Sequence, residues 1–258
     1  MNALLLLTAV SAQASSSASP QPQRWTVDYG ETSCTASRQL GSADKPILLA
    51  FRPSVPGSTI RIMVLREAPW RPTRHLPLQV SGVPATGLRF AATDRAKQLL
   101  WINLDRAKFD RATSGPTLRL TGEGIDLDLP LQGVAAAVKA MDMCNADLRG
   151  YWNADEAGRA SIETRPKPLK PIERLISHED YPDQAMSEGK GGTTQVALLI
   201  DEKDTLRDCL VETHSGVASI DAQTCTIIMQ RGKFASARDK AGKPVKSLVS
   251  LRFGWRVE

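Results

Sequence analysis

Gln195-Val196-Ala197-Leu198-Leu199-Ile200, then Asp201-Glu202-Lys203-Asp204, then Leu206-Arg207-Asp208-Cys209-Leu210-Val211-Glu212-Thr213: the reading of the fold turns on this stretch. The apolar run reads as a strand with Val196, Leu198 and Ile200 on one face. The charged quartet reads as a hairpin turn. The return strand carries Cys209, Val211 and Thr213 on one face. Leu206 falls on the other, which calls for a bulge or a late strand start. Downstream, the Ser219 hydroxyl is placed to cap a helix. Ile220, Thr224, Ile227 and Ile228 share one face of that helix, and Gly232 ends it. Val249, Leu251, Phe253, Trp255 and Val257 then alternate with Ser250, Arg252, Gly254 and Arg256, the pattern of a half-buried strand. Upstream, Pro182 suits the first position of a short helix, and Gly189 is placed to stop it. The sum, over residues 172–258, is a small antiparallel sheet with helices on one face and its last strand at an edge.

Residues 25–150 read as a separate, mostly-β domain, so the chain as a whole is α+β. Trp25 to Gly30, Cys34 to Leu40, Pro46 to Phe51, Ile60 to Val64, Leu76 to Val80 and Leu99 to Leu104 are strand candidates. Thr117 to Thr121, the turn Gly122-Glu123-Gly124, and Ile125 to Leu129 give the clearest hairpin. Many short strands between Gly/Pro turns suggest a sandwich or a small barrel. Val134, Ala137, Val138, Met141 and Cys144 share a helix face that closes it. Pro56, Pro69, Pro72, Pro77 and Pro84 fit loops or edges rather than central strands. Residues 151–171 read as a linker, since Arg165-Pro166-Lys167-Pro168-Leu169-Lys170-Pro171 is basic and Pro-rich.

The chain has 258 residues, 41% of them hydrophobic, and a net charge of +5. That is enough for two modest domains. The basic balance suits anionic envelope surfaces. No Arg/Lys run interleaved with aromatics is present, so no nucleic-acid partner is expected. Ala3 to Ala12 is almost wholly apolar and Ala12-Gln13-Ala14 has the form of a cleavage site. Residues 1–14 therefore read as a secretory signal peptide, although no Lys or Arg precedes the apolar run. Residues 15–24 read as a flexible leader, and the mature protein is expected in the periplasm, in contact with the envelope.

None of the four cysteines sits in a Cys-x-x-Cys pair, which argues against zinc fingers and thioredoxin-like chemistry. An even count behind a signal peptide argues for two disulfides. Cys209 lies on a strand and Cys225 on the helix that must pack against it, so those two can meet. That leaves Cys34 for Cys144.

No nucleophile elbow, H-E-x-x-H or Walker lysine motif occurs. Gly189-Lys190-Gly191-Gly192 has no helix signal after it and reads as a turn. His75, His178 and His214 fall in different elements, so no metal site is expected from them. His214 reads as a solvated turn residue. Asp126 and Asp128 share a strand face and read as its solvated side rather than as a catalytic pair. The expectation is no enzyme and no cofactor.

The ordered set Tyr181-Pro182, Gly189, the Val196–Ile200 strand, the Ser215-Gly216 turn, Ile220-Asp221, Phe234, Gly242-Lys243-Pro244-Val245 and the final strand resembles the C-terminal domain of the TonB family of energy transducers. The resemblance implies an α+β domain that docks on an outer-membrane transporter. It implies that His178, Glu179 and Asp180, just before Tyr181 and Pro182, contact the transporter's peptide. It also implies that the final strand, with Val249, Ser250, Leu251, Arg252, Phe253 and Trp255, takes part by strand addition. Some envelope relatives carry a cysteine pair at the places of Cys209 and Cys225. Two functional readings follow. One is a periplasmic TonB-like docking protein serving energy-coupled transmembrane transport. The other is a stand-alone periplasmic scaffold, with peptidoglycan, an envelope protein or a second copy of itself as partner. The short spacer and the lack of a visible membrane anchor favour the second; the final strand is common to both.

Overall fold

The computed structural model describes residues 24–91 and 96–257. Residues 1–23, read above as a signal peptide and most of a flexible leader, lie outside the described residues. Strands β1 (Thr26–Tyr29), β2 (Cys34–Ser42), β3 (Lys45–Pro53), β4 (Thr59–Glu67), β5 (Arg74–Val80), β6 (Val83–Ala91) and β7 (Lys97–Asp105) are followed by helix α1 (Arg106–Ala112). β8 (Thr117–Gly122), β9 (Ile125–Pro130) and helix α2 (Val134–Tyr151) complete this part. The strands form one curled antiparallel sheet, a half-barrel, in the order β1-β2-β3-β4-β7-β6-β5-β8-β9. Among the described residues β9 and β1 do not pair, so of the two expected forms, a sandwich or a small barrel closed by a helix, the sheet takes the barrel-like one, as a half-barrel with α2 across it.

Alternation along the strands gives this sheet two different faces. On one, Phe51, Ile62 and Ile102 lie side by side across β3, β4 and β7, with Leu49, Val64 and Leu100 beside them, all buried. α2 covers that face over β1, β2 and β3, and α1 over β4, β6 and β7. Ala137, Met141, Cys144 and Leu148 of α2 are buried against it, as their spacing predicts. Phe51 stacks on Trp25 and meets Phe109 of α1 edge-on, with ring centroids 5.1 and 5.0 Å away. Cys34 and Cys144 are bonded, tying α2 to β2. The other face carries Arg52, Arg61 and Asn103 in register across β3, β4 and β7, with Trp101 and His75 further along.

Two elements escape a reading by pattern. β6 contains Pro84 and Gly87, which hide its alternation. Yet Pro84 lies beyond the part of β6 that pairs with β7, and a Cβ on Gly87 would meet Leu78 at 2.5 Å. α1 has only seven residues and starts where Asp105 Oδ1 accepts the Lys108 N–H.

The stretch read as a linker is held down. It contains α3 (Glu156–Ser161), β10 (Ile162–Thr164) and β11 (Lys167–Pro168). After a short helix α4 (Asp183–Ser187) come β12 (Gly192–Ile200), β13 (Leu206–Thr213) and α5 (Ala218–Arg231). β14 (Phe234–Ala235), β15 (Ala237–Asp239), β16 (Pro244–Val245) and β17 (Ser247–Trp255) end the chain. β10 pairs with β15 and β11 with β14, so the Pro-rich segment is stitched to the C-terminal part. The main C-terminal sheet runs β13-β12-β17, all antiparallel. The expected bulge is present: Leu199 faces Asp208 while Ile200 faces Leu206. Cys209 and Cys225 are bonded, joining β13 to α5.

Val196, Leu198 and Ile200 pack with Ile228, Phe234 and Phe253 under α5. Ala197 and Leu199, on the opposite face of β12, are also buried, and Leu199 belongs to the N-terminal core. The unbroken apolar run is therefore a strand covered on both sides, in the way such runs are in layered sheets. The C-terminal sheet lies on the Arg52–Arg61–Asn103 face of the N-terminal sheet. Arg52 pairs with Asp208 at 2.6 Å, and Arg61 Nη2 donates to the Val211 carbonyl at 3.1 Å.

Candidate functional site

β17 pairs with β12 from Ser247 to Trp255 and, among the described residues, with nothing on its other side. Its first residues are covered: Leu248 packs against the N-terminal core, and the Lys246 carbonyl accepts from Asn153 Nδ2 at 2.7 Å. From Val249 onward the ladder side is open. Val249, Leu251, Phe253 and Trp255 turn toward the core under α5, and Ser250 and Arg252 are exposed. Arg252 Nε donates to Gln195 Oε1 at 3.2 Å and the Ser250 hydroxyl to Glu212 Oε2 at 3.0 Å. Those contacts hold the polar face and leave the row of backbone groups free, a template for strand addition.

The residues before Tyr181 divide into two kinds. His178 and Glu179 are exposed on a 3-10 turn. Asp180 is buried, and its Oδ2 accepts from Arg231 Nη1 at 2.7 Å and from the Ser177 amide and hydroxyl at 2.8 and 2.9 Å. Arg231 and these donors hold the Asp180 carboxyl at about 2, below its usual 3.8. Tyr181 is buried edge-on to Trp255 at 5.4 Å, and its hydroxyl donates to the Lys190 carbonyl at 2.8 Å. Pro182 precedes α4 as its capping residue, one position earlier than the first helical turn. Asp180 and Tyr181 thus brace the fold, whereas His178 and Glu179 are exposed.

A folded value below the unfolded one means that Asp180 stabilises the protein above pH 3.8 and that this contribution fades as pH falls toward 2. Acid titration of stability should therefore show a steeper decline between about pH 4 and pH 2 in the wild type than in Asp180→Asn. Parallel curves would mean that the carboxylate is not held by Arg231.

A second cluster lies where α5 meets β5, and it corrects the reading of His214 as a solvated turn residue. Asp221, in the first turn of α5, is 1% exposed. Its Oδ1 accepts from the Thr194 hydroxyl and the Ser215 amide, both at 2.8 Å. Its Oδ2 lies 3.0 Å from His214 Nδ1 and 3.2 Å from His75 Nε2. Burial pushes the Asp221 carboxyl up, but His214, His75, Ser215 and Thr194 together outweigh it and hold it well below the ordinary value. The two imidazoles meet edge-on with centroids 5.3 Å apart. Arg61 Nε donates to Asn103 Oδ1 at 2.9 Å, so Asn103 Nδ2 is the donor to His214 Nε2, also at 2.9 Å. That chain fixes the proton of a neutral His214 on Nδ1, facing Asp221. Arg61 is itself 7% exposed; burial, and then Arg52, lower it to about 10, against the pull of Asp208, so it stays charged at neutral pH.

His75 and His214 are 146 and 7 residues from Asp221. The long separation left no local motif, and His178 takes no part. Ser219 does not cap α5: the helix begins at Ala218, with Val217 at its cap and no side-chain cap bond. His75 also lines a cleft of about 430 Å³ with Arg74, Gln184, Lys190, Val217 and Ser219.

Residues 177–257 match the family model described as Gram-negative bacterial TonB protein C-terminal. The C-terminal part thus carries a TonB C-terminal domain. No curated protein matches the chain.

Proposed function

We propose that this protein docks on an outer-membrane transporter or another envelope protein by taking an extended segment of it onto the open edge of β17. The observation that carries this reading is the side of β17 from Val249 to Trp255 that is unpaired among the described residues, in a domain that the TonB C-terminal family model matches over residues 177–257. Main-chain hydrogen bonds would hold the incoming strand, and His178 and Glu179 would meet the segment that flanks it. Binding of this kind needs no cofactor and no catalytic group. Among the described residues no helix is long and apolar enough to cross a membrane. Export to the periplasm through residues 1–14 is part of the same proposal.

A second reading has its own support. β11 and β10 anchor the Pro-rich segment, and the C-terminal sheet rests on the N-terminal one, so the domain is not presented on a free tether. That favours a scaffold held at the envelope, through peptidoglycan or a β17–β17 homodimer, without energy coupling.

Paired proline substitutions test the edge. Successive N–H groups of a strand point to opposite sides, so of Ser250→Pro and Leu251→Pro one removes a bond to β12 and the other an outward donor. The inward variant should unfold the C-terminal sheet. The outward variant should stay folded and capture an outer-membrane transporter from solubilised envelopes about tenfold less well, the worth of a ladder bond. Undiminished capture by the folded variant would remove β17 as the site. Loss of a dimer in solution instead would select the homodimer.

A further inference from the structure

We propose that His75, His214 and Asp221 form a binding site for a divalent transition-metal ion, with Zn2+ as the ion of choice, at the contact between the N-terminal and C-terminal sheets. It is independent of the docking function. One ligand atom from each residue lies within 4.8 Å of the other two, and the carboxylate oxygen is 3.0 and 3.2 Å from the two ring nitrogens. A tetrahedral Zn2+ with bonds of about 2.0–2.1 Å needs ligand atoms roughly 3.3–3.4 Å apart. The ion can therefore enter with shifts of a few tenths of an ångström between the carboxylate and each ring, together with closure of the two ring nitrogens, which stand within 4.8 Å, onto the ion. Two imidazoles and one carboxylate are a donor set that suits such ions and leaves a fourth position for water.

The surroundings are those of a held site. Asp221 is fixed by the Thr194 hydroxyl and the Ser215 amide on the oxygen that would not bind metal. His214 is oriented through its far nitrogen by Asn103, which is in turn held by Arg61. Metal on His214 Nδ1 moves the proton of that ring to Nε2, with no net release. The Asn103 amide then turns to accept it and gives up its bond from Arg61 Nε, while Arg61 keeps the Val211 carbonyl and the Trp101 face, 4.5 Å from its guanidinium carbon. His75 likewise carries its proton on Nδ1 when Nε2 binds. His75 comes from β5 of the N-terminal sheet and His214 from the turn that follows β13; their side chains remain 14% and 26% exposed, so an ion can reach them and, once bound, staples the two parts together.

The experiment is isothermal titration of the chelator-treated full chain with ZnCl2, alongside thermal melts with and without zinc. One ion per chain should bind, and zinc should raise the melting temperature. His75→Gln and His214→Gln retain an amide donor for Asp221, so they should melt like the wild type without metal. Each histidine variant should weaken zinc binding by more than the roughly 10–100-fold typical of losing an outer-shell partner. A wild-type chain loaded with Co2+ gives a readout that needs no variant: a four-coordinate site produces intense visible bands. No saturable binding below about 1 mM Zn2+, weak six-coordinate Co2+ bands, or zinc binding unchanged in both histidine variants would each overturn the site.

Discussion

Asp221→Ala should cost the folded state about 3–5 kcal/mol, the usual cost of breaking one side of a buried charged network. The carboxylate is the common acceptor of Thr194, Ser215 and His214, and His75 closes on it from the other sheet. Removing it strands these buried donors without partners. Asp221→Asn keeps one acceptor oxygen for Thr194 and Ser215 but turns an amide toward the histidines, so it should cost about half as much. Urea unfolding at neutral pH in a chelator measures both. The sign with pH follows from the depressed carboxyl: the contribution of Asp221 is present above pH 3.8 and is lost as the solution is acidified below it. A loss under about 1 kcal/mol for Asp221→Ala would mean that the network is open to water in solution.

Replacing Cys34 and Cys144 by serine should lower stability by about 4–5 kcal/mol in the chain-entropy model, because the bond closes a loop of 110 residues. The same change at Cys209 and Cys225, separated by 16 residues, should cost about 3 kcal/mol. For a chain of this size the first figure corresponds to a fall of about 10–20 °C in the melting temperature. The loss should fall on α2, whose inner face is pinned to β2 by that bond. Differential scanning calorimetry of the two double variants gives the order. Equal effects, or a larger effect at Cys209–Cys225, would contradict loop closure as the source of the stabilisation.

Much of this architecture can be read from local pattern. The hairpin of β8 and β9, the strand β17, the inward face of α2 and the bulge in β13 follow from alternation and helical spacing. Both cysteine pairs follow from which element each cysteine sits on. What cannot be read has identifiable causes. β6 is masked by Pro84 and Gly87, and α1 is too short to show a period. The Pro-rich stretch looks like a spacer because two-residue strands such as Lys167–Pro168 leave no pattern. The stacking of the two sheets is announced only by the unbroken run Val196–Ile200, which requires cover on both faces but does not say from where. His75 and Asp221 are joined by that stacking alone, so the cluster is invisible until the sheets are in place. Within the edge region, the sequence does not distinguish Asp180 and Tyr181 as internal braces from His178 and Glu179, because burial there is set by Arg231, Lys190 and Trp255.

The two disulfides join the cysteines in the order first to second and third to fourth. A chain that enters an oxidising compartment N-terminus first therefore exposes each partner before the next pair begins. An oxidase that links cysteines as they emerge makes the native set directly. Such a chain needs no isomerase-driven reshuffling, and the 109 residues between Cys34 and Cys144 would set how long its first thiol waits.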